Sequence, residues 1–253
     1  MNKTILTLVA VTFLTLNARA ALLLSDDFNS YPNGSLVGAP GSPWTHHSGA
    51  TTGQVDVVSG KMNLTRVETE DVNATLNGGP YTTGSGVTLY ASFNVNFSAL
   101  PSDTGNFFAH LKDNTNGFRD RIWTSTANAA ANTFRLGVGN GSSATAASGQ
   151  IPTDLSLNTT YQVVTRYDVA NGLSTIWLNP TDETDPGVTA TDTPAPLDIY
   201  SFAFRQDTVM GILTVDDLRV GTTFADVVVV PEPSTFALFG LGAIGLLARR
   251  FRR

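Results

Sequence analysis

The chain has 253 residues, of which 14% are charged and 42% hydrophobic, and a formal net charge of −6. That length suits one large domain or two small ones. It has no cysteine, which excludes disulfides, cysteine-ligated zinc and thiol nucleophiles. Between Ala21 and Val230, nine Lys and Arg face 20 Asp and Glu, a net of −11 that argues against nucleic acid as a partner.

The first 20 residues read as a signal peptide. Lys3 supplies the positive start, an apolar run follows over 5–16, and Ala18-Arg19-Ala20 gives a small-x-small site for signal peptidase to cut before Ala21. The run is too short to span a bilayer.

Residues 21–228 form the body, expected to be a single β-sandwich domain. Strands are predicted at 22–28, 54–58, 61–66, 72–76, 87–97, 106–112, 118–124, 134–138, 161–169, 173–179, 197–205 and 212–220. The best alternation is Val87, Leu89, Ala91, Phe93, Val95 and Phe97 against polar neighbours, which marks one long half-buried strand. Ser59-Gly60 and Asn171-Gly172 supply hairpin turns. The segments 141–149 and 179–196 read as long loops. About a dozen strands exceed what one twisted sheet carries without curling or splitting, so two stacked sheets are expected. No repeat of fixed period points to a propeller or solenoid.

Asp26-Asp27-Phe28-Asn29-Ser30-Tyr31 near the start and Asp216-Asp217-Leu218-Arg219-Val220-Gly221 near the end form a matched pair. With Tyr167-Asp168 and Trp177-Leu178-Asn179-Pro180, they resemble secreted concanavalin A-like and laminin G-like jelly rolls. The resemblance covers the body and implies an all-β, two-sheet antiparallel jelly-roll sandwich with its first and last strands side by side. It does not fix function.

Chemistry-bearing residues are sparse. Some jelly rolls hydrolyse β-glucans with a Glu-x-Asp-x-x-Glu strand, and that pattern is missing. Glu68-Thr69-Glu70-Asp71 reads as a solvated turn. His46 and His47 are adjacent, so on a strand they face opposite ways and cannot share a metal; His110 stands apart. Gly-x-Ser-x-Gly does not occur. No catalytic residue is assigned, and the chain is not expected to be an enzyme. Asp26, Asp27, Asp216 and Asp217 are the candidate calcium ligands if their strands pair. Trp44, in a loop-like stretch, is the candidate glycan contact.

The tail has its own grammar. Pro231-Glu232-Pro233 is followed by 13 residues without a charge, 236–248, and then by Arg249, Arg250, Arg252 and Arg253. As a helix the run would be about 20 Å long, short of the ~30 Å hydrocarbon core. The arginines would hold that end on the cytoplasmic side. Residues 229–253 thus resemble the PEP-CTERM sorting signal of Gram-negative bacteria. The resemblance implies recognition by an exosortase-type membrane protease, transient membrane residence through the short C-terminal hydrophobic helix, and release to the cell surface or extracellular matrix alongside exopolysaccharide. The expected function is that of an exported surface or matrix protein with a carbohydrate-binding sandwich. A secreted glycan hydrolase and a purely structural coat protein stay open beside it.

Overall fold

The computed structural model describes residues 22–49, 51–141 and 146–228. The expected N-terminal signal helix, Pro231-Glu232-Pro233, the C-terminal apolar run and the four terminal arginines lie outside the described residues. In chain order the strands are β1 (Leu24–Asp26), β2 (Gly34–Ser35), β3 (Thr45–Ser48), β4 (Asp56–Val58), β5 (Lys61–Leu64), β6 (Asp71–Thr75), β7 (Thr88–Ala99), β8 (Asn106–Lys112) and β9 (Phe118–Ser125). They continue as β10 (Thr133–Gly139), β11 (Gly149–Gln150), β12 (Leu155–Ser156), β13 (Thr160–Asp168), β14 (Leu173–Leu178), β15 (Val188–Thr189), β16 (Ser201–Arg205) and β17 (Ile212–Gly221). A short helix, α1 (Phe224–Val227), closes the described chain.

These strands make two antiparallel sheets. The first runs β15-β14-β13-β7-β17-β5-β4-β2, with β1 also on β17. The second runs β11-β10-β9-β8-β16-β6-β3, with β12 also on β10. The fold is a two-sheet jelly-roll sandwich: two stacked sheets as the strand count predicted, in the arrangement that the family resemblance implied. The first and last strands pair as expected, with Leu24 opposite Val220 and Asp26 opposite Leu218.

The long alternating strand is the spine of the first sheet. β7 pairs with β13 on one side and β17 on the other. Its Phe93, Val95 and Phe97 are buried between the sheets. Phe93 meets Phe108, Phe202 and Phe204 of the opposite sheet edge-on at 6.2, 6.0 and 5.5 Å, and Phe97 meets Phe108 at 5.8 Å. Each such ring stabilises by roughly 1.5–3 kcal/mol through burial, with edge-to-face contact adding about 0.5–1.5 kcal/mol per pair.

The β4–β5 hairpin turns at Ser59 (φ 52°) and Gly60 (φ 74°), the positive-φ pair its sequence called for. A Cβ on Gly60 would lie 2.4 Å from Asn29 Oδ1, so that position also needs the missing side chain. Three segments depart from the loop reading. Thr45–Ser48 forms an edge strand, and short edge strands occupy Gly149–Gln150 and Val188–Thr189.

Helix α1 lies over the outer face of the first sheet. Phe224, Val227 and Val228 pack there on Tyr90, Val164 and Trp177. Ser92 Oγ donates to the carbonyl of Val227 at 2.7 Å.

Candidate functional site

The pairing of β1 with β17 brings Asp26, Asp27 and Asp217 to one cavity of about 350 Å³. It does not assemble them as ligands. Asp26 is buried, and its oxygens accept from the Phe28 N–H, the Tyr31 hydroxyl and the Trp44 indole N–H, each at 2.8 Å. Asp216 accepts from Lys61 Nζ at 2.6 Å, and Asp217 from Asn94 Nδ2 at 2.9 Å. Among the described residues no three His, Cys, Asp or Glu side chains gather to hold a metal. The four aspartates therefore do not fit calcium. Asp26 serves as a turn and ring anchor, Asp27 accepts the Asn29 N–H at 3.1 Å, Asp216 forms an ion pair and Asp217 a bulge contact.

Trp44 is a second correction. It is 2% exposed and packs between Phe28 and Phe204 at 6.2 and 5.5 Å. It belongs to the core between the two sheets and lies on neither outer face. Glu70 is a third, since it is fully buried and not in a solvated turn. Its carboxylate accepts the N–H groups of Gly53, Gln54 and Val55 at 2.9, 2.6 and 2.7 Å, and it faces His46 Nδ1 at 3.3 Å.

The concentration of chemistry lies elsewhere, on the outer face of the second sheet. On β9, Ile122 points into the core, so Arg121 and Trp123 on either side of it point out. Cross-strand pairing sets Trp123 opposite Phe107 of β8. On the other side their partners are Gly137 and Gly139 of β10, which have no side chains to cover them. A bulge beside Ala109 breaks the alternation of β8 and turns His110 to the same face as Phe107. A bulge in β3 does the same for His47.

The result is a stripe of rings across the sheet. His47 and His110 lie 5.9 Å apart, and His110 and Phe118 4.3 Å apart. Phe107 meets His110 at 5.4 Å and Trp123 at 5.5 Å. Arg121 lies 4.9 Å over Phe107 and 5.3 Å over Trp123. Arg205 lies 4.5 Å over Phe107 and is held by Asp71 and Asp207 at 3.7 and 2.9 Å. Lys112 Nζ donates to the carbonyl of Asp113 at 2.9 Å.

This stripe carries polar atoms with no hydrogen-bond partner. Both ring nitrogens of His47 and both of His110, Trp123 Nε1, and Arg121 Nε and Nη2 are buried and unpaired. Buried polar groups are ordinarily satisfied, and each orphan costs about 1–3 kcal/mol. Burial and the neighbouring cations Lys112 and Arg205 hold the His47 imidazole down to about 4. Burial likewise holds His110 well below the usual imidazole range. Both are neutral at pH 7, each with one donor and one acceptor to offer. Burial lowers Arg121 to about 10, and it stays charged. Trp123 also lines a cavity of about 710 Å³ with Asp103, Asn106, Asn128 and Gln150.

Alternation on β9 was the one signal that could have found this face, since Arg121 and Trp123 are two residues apart. The remaining members depend on bulges that no sequence periodicity reveals.

Residues 229–253 match the PEP-CTERM protein-sorting motif. The motif marks a chain exported to the cell envelope or surface. No curated protein matches the sequence. Among solved structures, a sialidase is similar at 13% identity and a TM-score of 0.49, over 81% of this chain and 19% of its own length. Lectin I-B4 from Griffonia simplicifolia, in its metal-free form, is similar at 10% identity and a TM-score of 0.45, over 73% and 94%. Lectin II from Ulex europaeus stands at 15% and 0.47, over 79% and 98%. These likenesses are of strand path and assign no residue a role.

Proposed function

We propose that the protein is a non-enzymatic, exported surface or matrix component whose sandwich binds polysaccharide on the outer face of the second sheet. The observation that supports this is the stripe of unpaired, buried polar atoms among aromatic rings. A sugar hydroxyl both donates and accepts, which suits two neutral imidazoles. The C–H faces of a pyranose suit the ring surfaces of Phe107, Phe118 and Trp123. Binding is favoured over hydrolysis because the acids that hold Arg205 are committed: Asp71 to Ser48 Oγ at 2.7 Å, the Gln206 N–H at 3.2 Å and Arg205 at 3.7 Å, and Asp207 to Arg205 at 2.9 Å and the Val209 N–H at 3.1 Å. The sorting motif supports the route we infer, by way of an exosortase-type protease at the inner membrane of a Gram-negative cell and then to the surface.

Affinity electrophoresis of the full chain through gels containing neutral and charged glycans tests the reading. Retardation by at least one glycan, lost in Trp123→Ala and kept in Trp177→Phe on the opposite outer face, is the expected result. Free migration in every gel would overturn it.

A further inference from the structure

The two unpaired nitrogens of Arg121 are not a random pair. Nε–H and Nη2–H lie along one edge of the guanidinium and point the same way, the fork that takes an oxyanion through two parallel hydrogen bonds. Arg121 is 2% exposed, and this edge has no partner. Among the described residues no carboxylate lies in ion-pair range of it. Asp192 is the acid that acts on Arg121 electrostatically, but its oxygens are taken by the N–H groups of Asn140 and Gly141 and by Ser148 Oγ. A buried, unmatched cation is among the more costly things a fold retains. Stacking on Phe107 and Trp123 fixes the plane of the guanidinium and leaves that edge free. Trp123, the ring on which the cation stacks, also forms a wall of the neighbouring cavity of about 710 Å³.

We propose that Arg121 is the anion-binding centre of a subsite for an acidic polysaccharide, with Arg205 on the same Phe107 ring and the imidazoles of His47 and His110 taking hydroxyls. This rests on the polysaccharide-binding reading above and narrows it to sugars carrying a carboxylate or a sulfate ester. The body's net charge of −11 opposes a polyanion at long range, so binding rests on the local cation alone. A polyanion is repelled by such a surface as a whole and binds only where a local cation outweighs it.

Titration calorimetry on the full chain with polygalacturonate, dextran sulfate and neutral dextran of matched length tests it. Expected is at least tenfold tighter binding of one or both acidic polymers than of dextran, with the first two arms telling carboxylate from sulfate. Arg121→Met abolishes that preference and melts no lower than the wild type without ligand, because it removes a buried unmatched charge. Arg121→Lys keeps charge and stem but not the fork. It binds at least tenfold more weakly, and it decides the matter should the Met variant not fold. Glycan binding without acidic preference, unchanged in Arg121→Lys, overturns this inference and leaves the polysaccharide reading standing. No binding to any polymer overturns both.

Discussion

The indole N–H of Trp44 donates to Asp26 Oδ2 across 2.8 Å, tying the buried ring to the first strand. The same carboxylate caps the turn at Phe28 and accepts from Tyr31. Its removal leaves the indole N–H and the Tyr31 hydroxyl unpaired. Asp26→Ala is expected to cost about 2–4 kcal/mol, from orphaned donors at about 1–3 kcal/mol each, read as a lower urea midpoint at unchanged slope. Because these oxygens already have partners, a chelator should leave the melting temperature of the wild type where it is. A fall in chelator that calcium restores would show that the aspartates bind metal after all.

Asp120 offers a test by pH. It is 1% exposed on β9; its Oδ2 accepts from Thr165 Oγ1 at 2.6 Å and its Oδ1 has no partner. Burial raises its carboxyl to about 6. A carboxyl raised in the fold stabilises in its protonated form. That contribution is full below about pH 4 and is lost as pH rises through 6. Asp120→Asn keeps the shape, tolerates the φ of 50° at this position, and carries no charge. It should stabilise the protein by on the order of 1–3 kcal/mol at pH 7.5 and by little at pH 4. Equal effects at both pH values would refute the shift.

The histidines have the opposite sign. His47 and His110 titrate lower in the fold than the ordinary 6.5, His47 at about 4. Their neutral forms contribute fully above pH 6.5, and that contribution is lost as pH falls toward 4. Thermal melts of the wild type and of His47→Leu/His110→Leu should diverge across this window, the variant losing less stability on acidification. Glycan retardation should weaken over the same range in the wild type. Parallel melting curves would remove the imidazoles from the account.

The strands were legible because each side of a half-buried sheet imposes a period of two. Val87 through Phe97 shows it over six apolar positions, and β7 is the result. What was not legible were edges of two to four residues, too short to show a period, and these include β3 with its neighbour Trp44. Trp44 sits in an irregular stretch, and only the path of that stretch across Phe28 and Phe204 buries it. The site was half legible. Arg121 and Trp123 share a face by simple alternation, whereas Phe107 and His110 are three apart and meet only because β8 bulges. Asp216 and Asp217 looked like ligands because acids in pairs look alike whether they hold a metal, a lysine or a bulge.

The end of the sandwich bears on its processing. Val227 and Val228 are 1% and 6% exposed, seated on the outer face of the first sheet. From Val228 to Pro231 the chain reaches at most about 10 Å, whatever its conformation. A membrane protease acting at the sorting motif must therefore work against the folded sandwich, or α1 must first lift off. Burial of Phe224, Val227 and Val228 holds α1 down by a few kcal/mol, at roughly 1.5–3 kcal/mol per fully buried apolar side chain. Val227→Asp should release it with little change in the global melt, reported by a red shift of Trp177 emission. If lifting limits the reaction, this variant and a ten-residue Gly-Ser insertion after Val228 should both speed tail removal in cells, followed by blotting for the shortened chain. Unchanged rates in both would mean that the protease reaches the motif with α1 in place.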